Sequence, residues 1–174
     1  KILVFKKIDY YCAKKMKKIF ALCHNVRKRV RKYYDQNSII FYPGVDVASY
    51  KPSKFGNYFL CPSRLVKPKR VDVVIESMDF VKDKRINLIL VGDGPERDKI
   101  NALAKRKNVK YLGKVSDREL TKLYSECLGV IYVPIDEDWG LVPLEAAASG
   151  KPLIGSNEGG LKETVLRNKT GFLL

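Results

Sequence analysis

The chain has 174 residues, of which 45% are hydrophobic and 30% charged, enough apolar content to build the core of one domain or slightly more. Its formal net charge is +15, a balance suited to nucleic acid, an anionic membrane surface or phosphorylated substrates. No apolar run reaches the roughly 18 residues that a membrane-spanning helix needs.

The charge is uneven: residues 1–35 carry 12 Lys or Arg against Asp9 and Asp35. The first residues, KILVFKKIDYY, lack an initiator Met and the apolar core of a signal peptide. The chain stops at NKTGFLL, and a fragment of a longer protein is expected. KKIFALC (17–23) predicts a strand. NVRKRVRKYYD (25–35) sets Val26, Val30 and Tyr33 on one helical face among basic residues. SIIFYPGVD (38–46) predicts a strand closed by Pro-Gly, YKPSKFGN (50–57) a loop, and NYFLCPS (57–63) another strand.

RVDVVIESMDFV (70–81) repeats Val71, Val74, Ile75 and Met78 at helical spacing. INLILVGDGP (86–95) opens with a continuous apolar run, which suits a strand buried on both faces, and Pro95 predicts the first turn of the next helix. NVKYLGKV (108–115) predicts a short strand. Ser116 is the candidate cap of the following helix, with Glu119 completing a capping box. LGVIYVPI (128–135) and PLIGSN (152–157) predict two further strands, with a helix over 141–149 between them. Alternation of strand and helix argues for a parallel sheet covered by helices on both faces.

In such a sheet ligands bind beyond the carboxyl ends of the strands. The stretch EDWGLVPLEAAASG (137–150) lies at that edge. Gly140 permits a tight turn, and Pro143 is tolerated only in a first helical turn, so a helix is predicted from near Leu141. Its free N–H groups make an anion site, flanked by Glu137 and Glu145. A phosphate there repels carboxylates, so the glutamates are expected to face hydroxyl groups on either side of it. Ribose, diphosphate and sugar in one molecule fit that order. Arg64, after the strand 57–63, and Lys69 add a planar fork and a mobile point charge for phosphate.

Cys12, Cys23, Cys61 and Cys127 form no CxxC pair and His24 has no ligand-like neighbour, so no metal site is expected and a reducing cytoplasm fits. Two other readings remain open. DED (136–138) has the D-x-D form of a metal motif able to hold a divalent cation beside a diphosphate. The basic residues 1–35 could form a non-catalytic module for nucleic acid or anionic membrane, its tyrosines stacking bases.

The E-x7-E pair EDWGLVPLE, with SRLVKPKRVD, LVGDGPERDKI, YLGKVSDREL and EGGLKETV…NKTGF in order, resembles the GT-B glycosyltransferases of family GT4, and within them the mannosyltransferase-like branch. The resemblance covers about residues 10–174. Trp139 stands where the family usually has Phe, Asp138 where Gly is commoner, and Gly44 where the branch tends to have Pro.

The resemblance implies a Rossmann-like domain over residues 1–174, the donor-binding half of a two-domain GT-B enzyme. Arg64 and Lys69 would hold the donor diphosphate, and Glu145 the ribose hydroxyls. Glu137 would meet the transferred sugar, as the catalytic candidate. The backbone at Gly140, Leu141 and Val142 would meet diphosphate or sugar, and that near Val115 the base. It further implies a retaining transfer of a hexose, with mannose the first candidate. The donor would be GDP-mannose or a UDP-sugar, with no bound metal or other cofactor and no nucleic acid as partner. The acceptor, a glycan or lipid-linked chain, and a catalytic histidine that His24 does not match belong to an N-terminal domain that this chain nearly lacks. The expected location is cytoplasmic, at the inner face of an anionic membrane, and the fragment alone is expected to be inactive.

Overall fold

The computed structural model describes residues 2–105 and 108–174. It divides into two compact units, Lys1–Pro43 and Gly44–Leu174.

The first unit holds α1 (Ile2–Lys14), β1 (Phe20–Ala21), α2 (His24–Tyr34) and β2 (Ile39–Ile40). The periodicity argument misses α1, because Leu3, Val4, Phe5 and Ile8 are all exposed and no single buried stripe marks it. Tyr34 donates to Asp9 at 2.7 Å and ties α2 to α1. Cys23 caps α2 through its Sγ, which accepts from Val26 N–H at 3.3 Å, and Asp35 ends the helix in the left-handed region (φ 48°). The two strands pair in parallel over two residues each, much shorter than the apolar runs 17–23 and 38–46.

The second unit holds β3 (Tyr58–Pro62), α3 (Val71–Ser77), β4 (Asn87–Val91), α4 (Arg97–Leu103), β5 (Val109–Tyr111), α5 (Asp117–Glu126), β6 (Gly129–Tyr132), α6 (Val142–Ala148), β7 (Leu153–Gly155), α7 (Leu161–Thr164) and β8 (Gly171–Leu173). Its six strands form one sheet, all parallel, in the order β5-β4-β3-β6-β7-β8. Successive side chains alternate between faces. On β3, Leu60 joins Val130 and Leu153 under α5, α6 and α7, whereas Cys61 joins Leu88 and Leu90 under α3 and α4. Both faces are therefore covered, which gives the Rossmann-like doubly wound sheet and accounts for the continuous apolar runs of β3 and β4.

Local signals hold in detail. The Ser116 hydroxyl accepts from Glu119 N–H at 3.3 Å and caps α5. Gly150, at φ 66°, follows the last turn of α6 as a left-handed stop. One start is misplaced: α4 begins at Arg97 and Pro95 lies in the turn before it, where Arg97 N–H bonds Gly94 O at 3.0 Å. The edge strand β8 carries no strong alternation and was not anticipated.

Strands β4 and β5 follow β3 toward one edge, and β7 and β8 follow β6 toward the other. The winding reverses between β3 and β6, which pair at Phe59–Gly129 and Leu60–Val130. Chains leaving the carboxyl ends of these two strands diverge, and a crevice opens between them.

Candidate functional site at the sheet switch point

A cleft of about 520 Å³ occupies that crevice. Arg64, Lys69, Val115, Val142 and Glu145 all line it, although they come from three separate parts of the chain: the β3–α3 connection, the β5–α5 connection and the first turn of α6. Gly140 and Leu141 lie outside the lining, between β6 and the start of α6. Glu137 is also outside the lining but is bonded to one of its members. Its carboxylate takes the Lys69 ammonium as ion-pair partner and accepts from the Tyr132 hydroxyl at 2.9 Å. Lys69 in turn donates to the Tyr132 oxygen at 2.6 Å. The three groups close a triangle at the ends of β3 and β6.

Glu145 has a separate anchor. Its carboxylate accepts from the Tyr124 hydroxyl at 2.5 Å, and Tyr124 is fully buried, edge-on to Tyr50 at 5.9 Å between ring centroids. Burial and the Glu145 charge push the Tyr50 phenol up to about 12 and the Tyr124 phenol well above its usual range. Burial, then the Glu137 charge, does the same to Tyr132. All three tyrosines therefore remain hydrogen-bond donors at neutral pH, so each glutamate is oriented by a neutral donor.

The cations differ in how they are held. Lys69 is paired, whereas the Arg64 guanidinium and the Lys114 ammonium have no hydrogen-bond or ion-pair partner among the described residues, though both line the cleft. The backbone N–H groups of Gly140, Leu141 and Val142 likewise have no acceptor among the described residues. Gly140 sits at φ 75°, and a Cβ there would stand 3.3 Å from Glu137 Cγ, so glycine serves both the turn and the close approach. The cleft thus offers unpartnered positive groups and the oriented carboxylate of Glu145, with a second oriented carboxylate, Glu137, bonded to Lys69 of its lining, groups suited to a ligand that carries both anionic and hydroxyl groups. Among the described residues, no three His, Cys, Asp or Glu side chains gather as metal ligands.

Sequence reasoning missed Tyr132, Tyr124 and Lys114. Tyr132 was hidden in the apolar run of β6, and its place as the last residue of a strand at the switch point was the available signal. Tyr124 is the buried residue of α5, and no sequence signal sets it apart from a core residue.

Residues 46–174 match the family described as glycosyl transferases group 1. The chain belongs to this family. A protein of Methanocaldococcus jannaschii, named as an uncharacterized glycosyltransferase, is 30% identical over 155 residues, covering 85% of this chain and 43% of the relative. A GDP-mannose-dependent alpha-(1-6)-phosphatidylinositol monomannoside mannosyltransferase of Mycobacterium tuberculosis is 30% identical over 160 residues, covering 76% and 41%. This chain thus spans about two fifths of the length of these relatives. Among solved structures, a mutant of TarM from S. aureus, in complex with fondaparinux, alpha-GlcNAc-glycerol and UDP, superposes with a TM-score of 0.86 over 97% of this chain and 36% of that one, at 24% identity. The fold of this group 1 glycosyl transferase is the Rossmann-like half of the GT-B architecture. No helix among its described residues is long and apolar enough to cross a membrane.

Proposed function

We propose that this chain is the donor-binding domain of a retaining glycosyltransferase that moves a hexose from a nucleoside-diphosphate sugar to a glycan or lipid-linked acceptor. The observation that carries the reading is the convergence of Arg64, Lys69 and Glu145 on one cleft at the switch point, with Glu137 bonded to Lys69. The diphosphate lies between Arg64 and Lys69, the ribose hydroxyls against Glu145, and the sugar against Glu137. The base lies near Val115. Lys69 and Tyr132 both bond Glu137 Oε2, so when the diphosphate draws the Lys69 ammonium Oε2 keeps its bond to Tyr132, and Oε1 faces a sugar hydroxyl. In the transfer the bond from the anomeric carbon to the diphosphate oxygen breaks and its electron pair stays on the diphosphate. Arg64 and Lys69 stabilise the charge that develops there. The acceptor hydroxyl oxygen forms the new bond to the anomeric carbon and its proton passes to the departing diphosphate; the groups that hold the acceptor lie outside this chain, so the fragment alone is expected to transfer nothing. The name of the Mycobacterium tuberculosis relative supports mannose and GDP, and the UDP-bound neighbour supports a uridine donor.

Isothermal titration with UDP, GDP and ADP and their sugar conjugates, with and without Mg²⁺, tests the reading. Binding of one nucleotide without metal is expected. Glu145→Ala is expected to weaken it about tenfold to a hundredfold, the worth of a hydrogen bond to a charged group. Binding that ignores Glu145→Ala and Arg64→Ala would refute the site.

A second reading concerns the first unit alone. Leu3, Val4, Phe5 and Ile8 are exposed on a helix that also carries Lys6, Lys7 and Lys14. This supports peripheral contact with an anionic membrane. Flotation of the full-length protein with phosphatidylserine vesicles tests it, and a protein that stays in solution at low salt rejects it.

A further inference from the structure

We propose that Glu158, held by Arg70, is a positioning residue that aims Glu137 at the transferred sugar; this rests on the donor-site reading above. Glu158 lies in the loop between β7 and α7. One of its carboxylate oxygens accepts from Arg70 Nη2 at 3.0 Å and the other from the backbone N–H of Asp136 at 3.2 Å. Arg70 and Asp136 are both non-glycine residues in the left-handed region, at φ 51° and φ 42°. Such a conformation is unfavourable for an ordinary residue and persists only where the surroundings hold it. Each stands next to one member of the site pair: Arg70 follows Lys69, and Asp136 precedes Glu137. One carboxylate therefore clasps the two backbone kinks from which Lys69 and Glu137 project toward each other.

The neighbouring backbone supports the same role. Gly160 N–H donates to Glu137 O at 2.6 Å, and Ile135 N–H donates to Pro68 O at 2.7 Å. A Cβ on Gly159 would stand 2.2 Å from Glu137 O, so the loop lies directly against the peptide of Glu137. The side chains of Arg70 and Glu158 are 32% and 39% exposed. An ion pair so exposed contributes little to global stability. What it fixes is the orientation of residues 135–137.

The test compares Glu158→Ala with Glu158→Gln in the 174-residue chain. The glutamine keeps one acceptor oxygen, which can still take Asp136 N–H, and gives up the one that holds Arg70, whereas the alanine removes both. In the free protein, amide hydrogen exchange over residues 135–139 is expected to be about tenfold faster in Glu158→Ala and close to the parent rate in Glu158→Gln, with the thermal midpoint unchanged. In calorimetry with whichever nucleotide the parent binds, Glu158→Ala is expected to bind the nucleoside diphosphate within about twofold of the parent and the sugar conjugate about tenfold more weakly. Glu158→Gln should restore the conjugate. Unchanged exchange, conjugate binding at parental strength in Glu158→Ala, or equal loss of diphosphate and conjugate would each overturn the positioning role while the donor site stands. A parent chain that binds no nucleotide would overturn the donor-site reading, and this inference with it.

Discussion

The ion pair of Lys69 and Glu137 is the contact whose removal can be predicted most closely. Both side chains are 19% exposed, between the surface pairs worth about 0–1 kcal/mol and the fully buried pairs whose disruption costs about 3–5 kcal/mol. The two halves are unequal. Lys69→Met leaves the carboxylate of Glu137 with the Tyr132 hydroxyl as its remaining side-chain partner, and should destabilise the chain by about 2 kcal/mol. Glu137→Gln leaves the ammonium with an amide oxygen, with the Tyr132 hydroxyl at 2.6 Å, and with the Tyr132 ring, whose centroid is 5.1 Å away. It should cost about 1 kcal/mol. Urea denaturation of the parent, both single variants and the double variant measures the coupling, expected at about 1 kcal/mol. A coupling within about 0.3 kcal/mol of zero, or a larger loss for Glu137→Gln than for Lys69→Met, would refute the assignment of this triangle as one interacting unit.

Three other outcomes follow from groups away from the cleft. Cys12 is exposed while Cys23, Cys61 and Cys127 are buried, and burial pushes the thiols of Cys61 and Cys127 up to about 12 and about 11. A thiol reagent at pH 8 should therefore label one cysteine quickly and the other three only on unfolding. The hydrogen bond from Lys99 holds the Asp72 carboxyl below the usual carboxylate range and ties α3 to α4. Its folded value is depressed, so its contribution is present above the unfolded value of about 3.9 and is lost as pH falls through the folded one. Asp72→Asn should lower stability by about 0.5 kcal/mol at pH 7, with the gap to the parent closing in acid, as urea midpoints across that range will register. The Ser149 hydroxyl is buried with no hydrogen-bond partner among the described residues. Ser149→Ala should be neutral or stabilising by up to about 1 kcal/mol in a thermal melt, and a clear loss would reveal a partner.

Much of the fold could be read locally. The apolar runs of β3 and β4, the helical spacing of Val71, Val74 and Ile75, and the Ser116 cap are consequences of period and of unsatisfied N–H groups, which neighbouring residues decide. Glu137, Gly140, Pro143 and Glu145 share one short stretch, so their placement around a helix start was legible. So were Arg64 and Lys69, because they follow a strand. The helix α1 was not, since its apolar residues face no common core, and neither was the short edge strand β8.

The alternating order of elements is a property of the sequence alone, and it was enough to specify a parallel sheet with its ligand edge at the strands' carboxyl ends. Which strands adjoin is not, because any order of parallel strands buries these apolar runs equally well as seen from one segment. The tertiary structure alone brings β3 beside β6 and so seats Lys69 on Glu137, 68 residues away. It likewise carries Tyr124 to Glu145 and Glu158 to Arg70. These are contacts between side chains of polar or mixed character, and no periodicity encodes them. They form because the sheet order fixes the loops within reach and because partly buried charges must find partners there.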